Sequence, residues 1–278
     1  MREITLKELL EAGCHFGHQV PKSNPKAREF VYTSRDKIQI IDLAKTKEGL
    51  EKAAAFVKTV ASQGGKIIFV GTKKQARSIV IEEARRAGVF YMAKRWIGGL
   101  LTNWEEVGKN LKRMEQLREN LKSEEWTKKE KVLMEKKLRK LELMYGGIEG
   151  MTGRPYLLYI VDTHREESVI KEAARTNIPV IGIVDTNADP GQVDWSIPAN
   201  DDAVKSIQLI TSYIADAVIE GKEMGKKQEE KEEKAQKVDE PETKDAKVVK
   251  KTKKSEVGKD TKKSGVKGNS KVQRKTQK

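Results

Sequence analysis

The sequence predicts an α/β protein: a doubly wound parallel sheet with an inserted two-helix coiled-coil hairpin. Three observations lead there. Short apolar runs rich in β-branched residues recur along the chain, amphipathic helical stretches separate them, and one long segment keeps helical periodicity with no strand signal. Ile67-Ile68-Phe69-Val70, Leu157-Leu158-Tyr159-Ile160-Val161 and Val180-Ile181-Gly182-Ile183-Val184 are continuous runs, as expected for strands covered on both faces. Ile38–Ile41 and Val89–Tyr91 are shorter candidates of the same kind.

Helices are expected between these strands. Thr46 to Ser62 places Leu50, Ala53, Val57 and Val60 on one face and stops at Gly64-Gly65. Lys73–Ala87 stops at Gly88, and Glu166–Arg175 leads into Pro179. Asp202 to Glu220 carries Val204, Ile207, Ile210, Ile214 and Val218 and is expected to stop at Gly221.

The insertion lies between Glu105 and Tyr145. Its first helix aligns Val107, Leu111, Met114, Leu117 and Leu121, and its second aligns Met134, Leu138, Leu141 and Tyr145. Such narrow stripes with charged flanks fit a hairpin seam better than a core helix. Thr127-Lys128-Lys129-Glu130 reads as a capping box opening the second arm. At about 1.5 Å per residue each arm reaches roughly 25 Å, enough to grip a partner. The α/β domain is therefore expected over residues 1–104 and 147–220, the hairpin over 105–146, and a tail over 221–278.

That tail contains no Leu, Ile, Phe, Tyr or Trp and holds 20 Lys and Arg against 11 Asp and Glu. A segment without large apolar groups is expected to be disordered. The tail explains why the chain is only 37% hydrophobic and 35% charged, against about 45–50% and 25% for an ordinary globular chain. The net charge of +14 points to nucleic acid or an anionic surface. No apolar run approaches the ~18 residues of a membrane span. Met1-Arg2-Glu3-Ile4 does not open like a signal or transit peptide, and the single Cys14 forms neither an internal disulfide nor a cysteine zinc site. These features suggest an intracellular protein.

Parts of the sequence point to four chemistries. Phe69-Val70-Gly71-Thr72-Lys73-Lys74 sits where a strand enters a helix, but its glycine spacing fits neither a phosphate loop nor a dinucleotide fingerprint. Val161-Asp162-Thr163 and Val184-Asp185-Thr186 end two strands at the usual ligand edge, although Asp and Thr there also serve as helix caps. An enzyme using those carboxylates on a nucleotide-like substrate is the alternative function. His15, His18, Asp185, Asp189, Asp201 and Asp202 could supply a structural zinc or magnesium ion; no other cofactor is expected. RNA binding draws on the most signals: Lys22, Lys26, Arg28, Lys73, Lys74, Arg77, Lys94, Arg95 and Trp96, with the hairpin cations Lys109, Lys112 and Arg113. In Lys94-Arg95-Trp96 an indole beside two cations suggests base stacking combined with phosphate pairing. A third possibility is an adhesion or membrane-surface role for the tail alone.

Several blocks are similar to a known family. Gly13-Cys14-His15-Phe16-Gly17-His18-Gln19, Asn24-Pro25-Lys26, Ile40-Ile41-Asp42-Leu43, Phe69-Val70-Gly71-Thr72-Lys73-Lys74-Gln75-Ala76 and Arg95-Trp96-Ile97-Gly98-Gly99-Leu100-Leu101-Thr102-Asn103 come first. Gly146-Gly147-Ile148, Asp185-Thr186-Asn187-Ala188-Asp189-Pro190 and Ile197-Pro198-Ala199-Asn200-Asp201-Asp202-Ala203 follow. Together they resemble the bacterial small-subunit ribosomal protein two family across about residues 5–220. The sequence departs from it at Ser23, where the family usually has tryptophan. The resemblance implies a flavodoxin-like domain with the hairpin inserted, in a non-catalytic constituent of the small ribosomal subunit. It implies contact with small-subunit rRNA between head and body, support of translation initiation, and docking of the ribosomal protein that captures mRNA. No membrane and no small-molecule substrate are expected. The cytoplasm is the expected location, with a plastid whose own genome encodes the chain left open.

Overall fold

The computed structural model describes residues 2–238, with side chains described through residue 228. The expectation of disorder beyond residue 238 falls outside the described residues. Two sheets organise the fold. Near the N-terminus β1 (Phe16–Gln19), β2 (Val31–Arg35) and β3 (Ile38–Ile41) pair antiparallel in the order β1-β3-β2. The larger sheet comprises β4 (Ile67–Val70), β5 (Phe90–Met92), β6 (Leu157–Ile160), β7 (Val180–Val184) and β8 (Trp195–Pro198). All its pairings are parallel, in the order β5-β4-β6-β7-β8. Counted from β4 this is 2-1-3-4-5, an order shared with flavodoxin-like sheets.

Seven α-helices are described: α1 (Leu6–Glu11), α2 (Leu43–Ser62), α3 (Arg77–Ala87), α4 (Trp104–Lys122), α5 (Lys128–Tyr145), α6 (Glu167–Thr176) and α7 (Val204–Val238). The two-residue period of a strand sends alternate side chains into opposite layers. Ile67, Phe69, Leu157, Tyr159, Ile181 and Ile183 meet α1, α2, α3 and α7, whose contributions include Leu9, Leu50, Val57, Val80, Ile207, Ile210 and Ile214. Ile68, Val70, Leu158 and Ile160 face the other way, into a second buried cluster that includes Trp96, Leu100 and Leu101 from the loop before α4, Ile148, and Val169, Ile170 and Ala173 of α6. Both faces of the sheet are therefore dry, which is why its strands read as unbroken apolar runs.

Helices α4 and α5 fold back on each other where the sequence places the insertion. Val107, Leu111, Met114 and Leu117 are buried together with Leu138 and Tyr145. The Arg118 guanidinium spans Glu142 at 2.8 Å and Glu149, bracing the seam on its polar side. Thr127 and Glu130 form the expected capping box.

Two sequence expectations need correction, and one strand was missed. Ile38–Ile41 is not a strand of the parallel sheet; it is the middle strand of the small antiparallel one. A four-residue apolar run cannot by itself distinguish the two settings. Strand β8 carried no strand signal because Pro198 ends it, yet an edge strand tolerates proline. Helix α7 does not stop at Gly221 but continues to Val238. Gly221 and Gly225 are packing positions: a Cβ on them would lie 2.5 Å from the Lys58 carbonyl oxygen and 2.3 Å from that of Ser62. They let α7 cross the backbone of α2 closely, and Lys222 beside them donates to the Ala87 and Gly88 carbonyls at the end of α3. Residues 221–238 thus extend the folded body rather than opening the tail.

Candidate nucleic-acid interface and strand-end cluster

Chain connections leave β4 and β6 toward opposite faces of the sheet, to α3 and α6. That divergence leaves a crevice at the carboxyl ends of adjacent strands, where doubly wound proteins bind ligands. Here the protein's own charges fill it. The Lys73 ammonium lies 2.7 Å from Asp201, 2.6 Å from Asp202 and 3.2 Å from Asp162. His18 is carried in from β1, its amide donating to Thr186 Oγ1 at 2.8 Å. Gly17 permits this approach, since a Cβ there would lie 2.6 Å from the Thr186 side chain. His18 Nδ1 sits 3.1 Å from Asp185 but out of line for a hydrogen bond, while its Nε2 is 3.5 Å from Asp202.

The electrostatics follow from crowding. Burial, then the Asp162 and Asp185 charges, push the Asp201 carboxyl up to about 7 against the pull of Lys73. Contact with Asp185 raises His18. Asp162 adopts a left-handed backbone, φ 67°, uncommon for a residue with a side chain. The buried Glu166 accepts the Thr72 amide at 3.1 Å and its hydroxyl, tying the β4 loop to the start of α6. Burial raises its carboxyl.

His18, Asp201 and Asp202 bring one ligand atom each within 4.8 Å of one another, and Asp201 Oδ2 is buried without a hydrogen-bond partner. Of the six proposed ligands, His18, Asp185, Asp201 and Asp202 converge. His15 instead packs its ring against Phe16, and Asp189 receives Lys26 at 2.6 Å.

Trp96 corrects a sequence expectation. It is 7% exposed, and its indole N–H donates to Glu172 at 2.9 Å. The same carboxylate accepts the amides of Gly99, Leu101 and Thr102 at 3.2, 2.8 and 3.0 Å and the Thr102 hydroxyl at 3.0 Å. Burial works to raise the Glu172 carboxyl, but the donors of Thr102, Trp96 and Leu101 outweigh it and hold it below its ordinary value. The indole is thus a strut anchoring the loop that launches α4, with no open face for a base. Glu172 was missed because an acid on a helix reads as a solvated position.

Lys73 is likewise not a surface cation. Buried among three carboxylates, it is unavailable to an external phosphate. Arg77 is half-buried and donates to the Thr72 and Lys94 carbonyls. Lys26 pairs with Asp189, and Lys109 with Glu105 and Glu106. Lys22, Arg28, Lys74, Lys94, Arg95, Lys112 and Arg113 are exposed, without an ion pair among the described residues.

The sequence model of the family described as ribosomal protein S2 matches residues 9–221. The chain belongs to the ribosomal protein S2 family. Residues 9–221 take in the parallel sheet, helices α4 and α5 and the strand-end cluster. Membership in the S2 family makes the chain a structural protein of the small ribosomal subunit, in a family that is in general non-catalytic. Among the described residues no helix is long and apolar enough to cross a membrane.

Proposed function

We propose that this S2-family protein, of the bacterial type, binds small-subunit rRNA between head and body through phosphates and shape. There it supports initiation and helps seat the ribosomal protein that captures mRNA. The separation of its cations carries this reading: Lys73 and Arg77 are consumed internally, whereas Lys22, Arg28, Lys74, Lys94, Arg95, Lys112 and Arg113 stand in solvent. Unneutralised cations on a rigid body suit a phosphate surface. The α4–α5 seam works as a coiled-coil arm reaching past the body toward RNA or a neighbouring protein, and the place of work is the cytoplasm. Filter binding to small-subunit rRNA tests this. With about 6–10 phosphates neutralised, affinity should fall roughly 10³- to 10⁵-fold between 50 and 200 mM salt; salt-independent binding contradicts the reading.

The strand-end cluster holds a structural divalent cation on this reading. Lys73 takes one oxygen each of Asp201 and Asp202, Asp201 Oδ2 is left without a hydrogen-bond partner, and His18 brings a ring nitrogen within 4.8 Å of both carboxylates. One imidazole and two carboxylates suit zinc better than magnesium, which prefers oxygen alone. Calorimetric titration of chelator-treated protein should show one zinc per chain, abolished by Asp201→Asn. The absence of a binding heat in the unsubstituted protein would falsify the site.

A further inference from the structure

With Trp96 enclosed, the stacking aromatic must lie elsewhere, and the small antiparallel sheet presents one. Tyr32 on β2 is 77% exposed, the most exposed large apolar side chain among the described residues. Tyrosine, apolar on its faces and polar at its tip, is a residue type enriched at interfaces. The local pairing explains how the ring is held out. Val31 faces Ile41 and Thr33 faces Ile40, so Tyr32 is the additional residue of a β-bulge. Bulges of this kind re-aim a side chain and twist an edge strand.

Exposed cations lie on the segments that adjoin it in the chain. The turn between β2 and β3 has positive φ at Asp36 and Lys37, 50° and 65°, the left-handed pair of a two-residue hairpin turn that glycine or asparagine usually fills. Arg35 and Lys37 flank it, both exposed; Arg35 reaches Asp36 only at 3.8 Å, in full solvent. The Lys37 carbonyl accepts the Val20 amide at 3.0 Å, which ties the hairpin to the Val20–Lys22 turn and brings Lys22 alongside. Arg28 lies in the 3-10 segment leading into β2.

We infer that Tyr32 stacks on an unpaired nucleobase of the rRNA while Lys22, Arg28, Arg35 and Lys37 hold the flanking phosphates. An exposed aromatic with cations on the adjoining segments is a combination single-stranded RNA fits, because every base offers a π-face. A protein strand added to β2 is the competing occupant, but the bulge breaks the edge ladder that strand addition requires. The inference rests on the rRNA reading and adds to it Tyr32, Arg35 and Lys37, which lie outside the expected contact residues.

Filter binding to small-subunit rRNA across a salt series, with four proteins, tests it. The unsubstituted chain should bind. Tyr32→Ala should weaken binding about 5- to 150-fold at every salt concentration, leaving the salt slope unchanged. Tyr32→Phe should restore most of the affinity. Arg35→Gln with Lys37→Gln should instead flatten the slope by about 1–2. Ultraviolet cross-linking should attach a nucleotide to the 29–35 tryptic peptide. No binding by the unsubstituted chain overturns the rRNA reading and this subsite with it. Normal binding by Tyr32→Ala overturns the subsite alone, as does a cross-link from Tyr32 to a ribosomal protein in place of nucleotide.

Discussion

Glu172→Ala should cost about 3–5 kcal/mol of stability and release the 96–103 loop, making it the most damaging single change in this layer of the protein. The reason is the number of groups stranded at once. Three backbone amides, one indole N–H and one hydroxyl converge on that carboxylate, and alanine leaves each without an acceptor in a largely dry setting. Glu172→Gln should cost less, since it keeps an acceptor but loses the charge that strengthens every bond. The pH dependence has a definite sign. The folded carboxyl lies below its ordinary value, so its contribution is present above the unfolded pKa of about 4.3 and disappears as pH falls through the folded value. Hydrogen exchange at Gly99, Leu101 and Thr102 reads this directly. These amides should be protected at neutral pH and exchange at loop rates in Glu172→Ala, while β6 and β7 stay protected. Unchanged protection at the three amides would remove Glu172 from its assigned role.

In metal-free protein Lys73→Met should be comparably severe, again about 3–5 kcal/mol, because it takes away the ammonium that pairs with Asp162, Asp201 and Asp202. For a folded body of this size that corresponds to a fall in Tm of roughly 6–20 °C. Adding Asp201→Asn should recover part of the loss, since it removes one of the stranded charges, and a double-mutant cycle reads the coupling. The contrast with its neighbour is the informative part. Lys74 is exposed and Lys73 is not, so Lys74→Ala should leave Tm alone and reduce the rRNA salt slope by about 1. Lys73→Met should do the reverse. A Lys73 variant of normal stability with a flattened slope would return that lysine to the RNA surface.

This pair of adjacent lysines shows what sequence alone conveys. The strands β4, β6 and β7 were legible because a sheet covered on both faces demands uninterrupted apolar runs. Helices α4 and α5 were legible from their stripes, and the Thr127–Glu130 cap from its spacing. Charged residues were the difficulty, since local spacing does not reveal which of them the fold turns inward. Lys73 and Lys74 look alike in a loop, but the crevice between β4 and β6 captures one of them. Trp96 beside Lys94 and Arg95 resembled a stacking site until Glu172, 76 residues away, claimed the indole. Gly221 resembled a helix stop because a glycine that ends a helix and one that lets two helices touch read the same in sequence. Tyr32 gave no signal, since its prominence depends on a bulge set by the pairing of β2 with β3.

Sedimentation of small subunits with a tagged chain ending at Val238 tests the central claim most directly: the folded body, not the lysine-rich tail, engages the particle. The account predicts that this shortened chain enters subunits lacking the protein, travels with them through a sucrose gradient at low salt, and is displaced as salt rises. A shortened chain that stays at the top of the gradient, while the full chain sediments with the subunits, would contradict it.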